Sequence, residues 1–477
     1  MAGPVTRHDD AQPPAPYRLR VWQYALLVLT VGVLTFVVYG GVLEDAGVLR
    51  ISDDLAHFTF VEDGISFCEL FINRIDTIAP VIRLGFFSMY NLFEYWWPPY
   101  GLSLLGMHIL TVVMIAIMVA TFTRSFVFAL ALGAPLALSY AFYSGVIQNW
   151  IYVFIYAQFA MLVLAMMIVN WYVRLSKPGD ARTPLLVALG ALTACSLFII
   201  STGVIIPPAV GACALALRAN RRQLIRLAAA VGIGFGIWLA VTLITWMFLG
   251  NPLPGTWRYG ATGAEQPFED KFMAVLSWGF LGLYMPTLPP DIQVRPYATV
   301  ATLFVACLGL FLATVRDRRQ SQLARIGLAA LVLLVFYGIL AARGRDMIAL
   351  WHMRYNGYAM IFGLLVQASA LGILLDVLTR HLPFRVAGAV RYTFIAALFF
   401  ASAYVTIGNA QTVAVADMFV NRSTMWHEVR RTFDQSGIRD CPCQLTFKTR
   451  MTPEEMKCLV DAAANAGHSG GTLAALP

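Results

Sequence analysis

The chain is short of charge and of the motifs that mark soluble enzymes. Charged residues occupy only 13% of its 477 positions, against 59% hydrophobic, a balance that a soluble domain of this length could not easily keep in solution. It contains no Walker pattern, no nucleotide-binding Gly-rich loop and no G-x-S-x-G in a suitable context. Soluble nucleotide chemistry is therefore not expected, nor is a nucleic-acid partner. No sequence repeat is visible. No small-x-small cleavage site follows the first apolar run. At about 23 residues that run is longer than a typical signal-peptide core, and it is expected to stay as an anchor.

What the chain does have is a succession of apolar runs, each of roughly the 17–25 residues that a membrane-crossing helix needs. Backbone amides in lipid must be paired within the segment, so these runs are expected to be helices. They lie near 21–43, 100–123, 126–145, 150–172, 183–201, 203–217, 227–249, 296–314, 326–342, 356–377 and 387–408. The expected fold is an all-α polytopic membrane protein with about eleven transmembrane helices.

Orientation follows from Lys and Arg in short loops, which cytoplasmic loops retain. Arg18 and Arg20 precede the first span. Clusters recur in alternate loops: Arg174, Lys177 and Arg182; Arg218, Arg221, Arg222 and Arg226; Arg316, Arg318, Arg319 and Arg325; Arg380 and Arg385. Eleven spans put all of these on one side. The N-terminus is then inside, the C-terminus outside, and the setting a bacterial cytoplasmic (inner) membrane. Residues 1–20 are expected to be a disordered cytoplasmic N-terminus, 21–408 a transmembrane domain whose first outer loop is 44–99, and 409–477 a small outer tail. Nine acidic residues between Glu44 and Glu94 fall in that first outer loop.

Two apolar stretches are left out of the count, because making either one alone a full crossing would put the 316–325 cluster outside. In 77–97, Thr77, Arg83, Ser88, Asn91 and Glu94 share one arc of about 140°, and Tyr95-Trp96-Trp97 reads as an aromatic anchor, so a helix on the outer surface is expected. The stretch 272–288 contains Gly279, Gly282 and Pro286, and a re-entrant or interfacial helix is preferred there. Cys195, Cys213 and Cys307 lie inside spans and read as small core hydrophobes. Cys68, Cys441, Cys443 and Cys458 fall outside, where a bridge can form. Thr452-Pro453-Glu454-Glu455 is a capped helix start in the tail.

The residues that carry candidate chemistry sit on the outer side. Asp53 and Asp54, after Ser52, can be a helix N-cap with two acids in the first turn. They can equally be a general base with a supporting carboxylate at the membrane face, in reach of a lipid-borne substrate and an aqueous acceptor. His57 shares their helix face at four and three residues' spacing. The loop 342–355 carries Arg343, Arg345 and Arg354 where short outer loops should be poor in arginine. Arginine suits a phosphate because its fork makes paired hydrogen bonds and keeps its charge; headgroup snorkelling is the plain alternative. Arg83 is a further candidate for the same anion, with Arg258 and Lys271 weaker ones.

One N-terminal span, the acidic pair Asp53-Asp54, surface helices containing Arg74, Pro80 and Arg83, a short-looped bundle and the late outer Arg354-Tyr355 resemble the GT-C superfamily of membrane glycosyltransferases. That group includes protein O-mannosyltransferases and the bacterial enzymes that move aminoarabinose onto lipid A. The resemblance covers residues 21–408 in layout. It implies a sugar donor linked to polyprenyl phosphate, a glycan, lipid or protein acceptor at the outer face, an acidic first-loop residue as base, and basic residues on the lipid phosphate. Catalysis then falls to Asp53 and Asp54, and substrate binding to Arg354 and Tyr355, with Arg83, Arg345 and His57. No cofactor is required, and a divalent cation held by the two acids stays open. Two rival classes remain: a membrane polymerase, ligase or acyltransferase leaning on His57 or His352, and a lipid-linked substrate transporter. The transporter should bury charged or polar groups in mid-membrane, and few are seen beyond Asn170, which lies near a span end. A binding or scaffold role without chemistry is the third reading, to be preferred only if Asp53 and Asp54 prove replaceable.

Overall fold

The computed structural model describes residues 17–39, 70–71, 79–93, 98–139, 150, 152–176, 182–249, 267–282, 297–317, 320–344, 356–400 and 404. These are helical almost throughout, and among the described residues there is no strand. In chain order the elements are α1 (Val21–Tyr39), α2 (Pro80–Phe93), α3 (Pro98–Thr123), α4 (Phe126–Leu138), α5 (Tyr152–Leu175), α6 (Thr183–Ile199), a 3₁₀ turn (Ser201–Ile205) leading into α7 (Ile206–Ala216), and α8 (Arg221–Leu249). Then follow α9 (Phe268–Leu281), α10 (Tyr297–Thr314), α11 (Ser321–Gly344), α12 (Gly357–Thr379) and α13 (384–400).

Six of these, α3, α5, α8, α10, α11 and α12, are apolar and long enough to cross a membrane, while α1, α4, α6 and α7 are shorter apolar helices. The chain is a multi-pass all-α membrane protein. Lipid gives no hydrophobic gain for burying one apolar helix against another, so tight contact of small residues and interhelical hydrogen bonds hold such bundles together. Both occur here. The backbone of α9 meets α12 where Gly279 faces Gly363, and a Cβ at Gly363 would collide with the Gly279 carbonyl oxygen. A Cβ at Gly133 in α4 would lie 2.6 Å from the Cα of Ala116 in α3. Around these contacts α11 packs along α12, α3 along α5, and α6 along α8. One flank shows the opposite pattern: Ile233, Ile237, Met247 and Phe248 of α8 and Val305 and Leu312 of α10 are exposed apolar side chains, as expected of a surface solvated by acyl chains.

The runs read from sequence as spans are helices, with local departures. The 126–145 run begins as α-helix, widens to a π-helix over Ala129–Gly133 and tightens to 3₁₀ over Ala134–Leu138. Pro135, which lacks an N–H, sits at the start of that 3₁₀ turn. At 14 residues, or about 21 Å, α9 is too short to cross about 30 Å of hydrocarbon. It packs between α11 and α12, and Ala274–Phe280 are buried. Of the three thiols expected in the core, only Cys213 is buried; Cys195 is exposed and Cys307 intermediate, because the buried side of α6 is formed by Thr193, Ser196 and Leu197.

The bundle has two distinct ends. At one end α3 begins beside Trp150, and the first turns of α5 meet the start of α12 at Phe159 and Tyr358; α3, α5 and α7 finish at the other, near Arg174. At the Arg174 end, Gln320 and Arg391 both donate to Asp376 of α12, at 3.0 and 3.1 Å, and Arg391 Nε donates to the Thr379 hydroxyl at 2.8 Å. Those bonds tie down α13, most of whose surface is exposed.

Candidate functional site

Of the predicted site residues the structure describes Arg83 and, among the other anion candidates, Arg343, exposed in the last turn of α11, and Lys271, half-buried in α9. Pro80 opens α2 at a position that needs no N–H, and Pro80, Ile82, Arg83 and Phe86 are buried, Arg83 to 3% exposure. The sequence placed Arg83 on a polar arc with Ser88 and Asn91. Those two are exposed and bond back to their own helix, at 2.7 Å each. At 100° per residue Arg83 lies about 140° from Ser88 and only about 60° from Phe86. It belongs to the edge of the arc, and docking the Phe86 face turns it inward. A guanidinium buried in a membrane protein is costly and points to function.

The first turns of α5, with Trp150 just before them, organise everything around that helix. Trp150 meets Phe86 edge-on with ring centroids 4.5 Å apart, Phe154 stacks on Phe86 at 6.3 Å, and the Phe154 ring leaves no room for a Cβ at Gly85. Trp150 also donates from Nε1 to the Ser103 hydroxyl at 2.8 Å. One turn on, Tyr156 packs edge-on against the fully buried His108, and its carbonyl accepts the Thr111 hydroxyl at 3.1 Å. Gln158, in the following turn, donates to the Ser196 and Ile200 carbonyls at 3.0 and 2.9 Å and accepts from Thr202 at 3.0 Å. It thereby gives a second donor to the Ser196 and Ile200 carbonyls at the end of α6, each of which also accepts a backbone N–H. Phe159 meets Tyr358 edge-on at 4.8 Å, and Tyr337 lies 5.3 Å from Tyr358. The Tyr358 hydroxyl approaches Thr202 without the geometry of a full hydrogen bond.

A second glutamine repeats the device. Gln367 of α12 donates to the Gly279 and Phe280 carbonyls at 3.2 and 3.1 Å, and the Ser139 hydroxyl reaches the Gly282 carbonyl at 3.3 Å. Both helix breaks are thus stitched by side chains from neighbouring helices.

No protein-family model, curated protein or solved structure matches this chain. The site is therefore read from its own chemistry. Asp53, Asp54, His57, Arg345, Arg354 and Tyr355 lie outside the described residues, as do Arg258, Cys68 and the tail from 409. Asn356, the next residue after Arg354-Tyr355 in the sequence, is fully buried at the start of α12. Among the described residues no group of three His, Cys, Asp or Glu side chains could hold a metal ion. The arrangement places a cation beside an aromatic wall at one end of the bundle. That combination can receive a polar head attached to an apolar chain.

Sequence reading missed His108, Gln158, Thr202 and Tyr358, and with them the extent of polar groups inside the bundle, which is greater than Asn170 alone. His108, Gln158 and Tyr358 each lie within an apolar run, and Thr202 follows Ser201 between two of them. The available signal was a glutamine or histidine inside a span, which has to find an interhelical partner.

Proposed function

We propose that this protein is a GT-C-like membrane glycosyltransferase of about eleven spans. It moves a sugar from a polyprenyl-phosphate donor to an acceptor at the outer face of a bacterial cytoplasmic membrane. The reading is carried by one observation: the first turns of α5 hold together the helix bearing the buried Arg83 and the start of α12, which follows Arg354-Tyr355 in the sequence. The helix bearing Arg83 and the start of α12 both pack against the first turns of α5, which supports a reading in which arginines from segments far apart in the chain share one phosphate. The arginine-rich opposite end supports placing that side in the cytoplasm.

In this mechanism Asp53 takes the proton from the acceptor hydroxyl, and the oxygen attacks the anomeric carbon. The bond from that carbon to the phosphate oxygen breaks, and the lipid phosphate leaves with the electron pair. Arg83 and Arg354, with Tyr355, Arg345 and His57 near them, hold the phosphate, and Asp54 supports Asp53. Single displacement inverts the anomeric centre. Buried polar groups would also suit a transporter, but Gln158 and Gln367 are bonded to helix-end carbonyls, which is a structural use.

Mass analysis of surface glycans and lipids with and without the gene identifies the product. Transfer and donor binding are then measured for variants. Asp53→Asn keeps shape and capping and should lose about 10²–10⁴-fold in rate with donor binding intact. Arg83→Ala should weaken donor binding about tenfold or more, a charge-assisted contact being worth about 1.5–3 kcal/mol. Parental transfer rates in Asp53→Asn, Asp54→Asn and the double variant would sink the assignment.

A further inference from the structure

Two phenylalanine rings in the first turns of α5 are seated on glycines of other elements. A Cβ on Gly85 of α2 would fall on the Phe154 ring, 2.7 Å from its Cε1, and one on Gly357, the first residue of α12, would lie 2.5 Å from Cε2 of Phe159. Carbon atoms in ordinary contact stand about 3.5–4.0 Å apart, so each glycine lets its helix approach α5 about 1 Å closer than alanine would. Both rings are buried and hemmed in. Phe154 has Trp150 edge-on at 5.2 Å and Phe86 stacked at 6.3 Å, and Phe159 has Tyr358 edge-on at 4.8 Å.

The two contacts serve different helices. α12 packs along α11 and against α9, so the seat at Gly357 belongs to the core of the bundle. α2 is a 14-residue helix held by one face: Ile82, Gly85, Phe86 and Met89 share the docked stripe at helical spacing, while Leu84, Ser88, Asn91 and Leu92 are exposed. Glycine in a helix interior is otherwise unfavourable; here the close approach to Phe154 requires it. Arg83 stands two residues before Gly85 in the same rigid helix and is buried. The depth at which Gly85 meets the ring therefore sets where the guanidinium comes to lie.

We propose that Gly85 is a positioning residue: seated on Phe154, it sets how closely α2 rests on α5 and so places Arg83 for the lipid phosphate. This rests on the phosphate-binding role given to Arg83 above. Forked, charge-assisted contacts are sensitive to geometry, and a misplacement of about 1 Å can cost up to about 10²-fold.

The test uses the full-length protein in an uncharged detergent. Undecaprenyl phosphate is the binding probe, hydrogen exchange over 80–93 reports on α2, and thermal unfolding reports on the bundle. Gly85→Ala should quicken exchange over 80–93 and weaken binding of the probe about tenfold, with the unfolding midpoint nearly unchanged. Gly357→Ala puts the same clash into a core helix and should lower the midpoint. Gly106→Ala in α3, where nothing lies within 4 Å, should change neither binding nor exchange. Phe154→Leu, added to Gly85→Ala, makes room for the new Cβ and should restore both. Gly85→Ala combined with Arg83→Ala should bind no more weakly than Arg83→Ala alone, because one acts through the other. Unchanged exchange in Gly85→Ala, no recovery with Phe154→Leu, or losses that add would overturn the positioning role while leaving Arg83 its phosphate. Parental binding by Arg83→Ala would instead overturn the phosphate reading, and the positioning role with it.

Discussion

Replacing Gln158 by leucine keeps the volume of the side chain and removes all three of its hydrogen bonds, to the Ser196 carbonyl, the Ile200 carbonyl and the Thr202 hydroxyl. At the average of about 0.6 kcal/mol for interhelical polar contacts in a bilayer, three bonds come to about 2 kcal/mol. Values near 1.5 kcal/mol each would give about 4.5 kcal/mol. The lower figure applies here, because the Ser196 carbonyl still accepts the Ile200 N–H at 3.4 Å and the Ile200 carbonyl the Gly203 N–H at 3.0 Å. Neither carbonyl is stranded. The midpoint of thermal unfolding in detergent should fall by about 2 °C. Thr202→Val removes one of the three bonds, so its loss should be smaller and largely absorbed in the double variant. Gln158→Glu should be worse than leucine at neutral pH, since a carboxylate faces two carbonyl oxygens. A leucine variant as stable as the parent, or losses that simply add in the double variant, would refute this account of the α6–α7 break.

Two further predictions concern packing. Gly363→Ala should destabilise by about 1–3 kcal/mol, because its Cβ would meet backbone of α9 that cannot rotate away. Gly388→Ala in α13, where nothing lies within 4 Å, should be neutral or stabilising by up to about 1 kcal/mol, and the ranking of the two unfolding midpoints checks both. Asp376→Asn should weaken the attachment of α13 to α12 while global stability falls by about 1 kcal/mol or less. Hydrogen exchange should quicken in 384–400 and stay unchanged in α3 and α5.

The membrane helices were legible because their signal is additive: a run such as 152–175 declares itself by many apolar residues at once. Positions where the helix changes character were not. The π-to-3₁₀ change in α4 depends on how closely Gly133 approaches Ala116, a contact made by another helix. Arg83 was picked out by its charge, yet its burial depended on which side of α2 docks, and the periodic pattern left it at the border. Gln158 signalled only that it needed an interhelical partner; which one was set by where α6 stops, at Ile200. Cys195 shows the converse, an apolar-looking residue that faces outward because its helix buries Thr193 and Ser196 instead.

The two glutamine stitches differ in the order in which a ribosome makes their halves. Gln158 is synthesised before Ser196 and Ile200, so a donor is already waiting when the end of α6 emerges. Gly279 and Phe280 are made long before Gln367. Until α12 is complete, those two carbonyls lack the Gln367 donor. The α3–α7 region can therefore close while the chain is still growing, whereas α9 settles only after α12 has been threaded into the membrane.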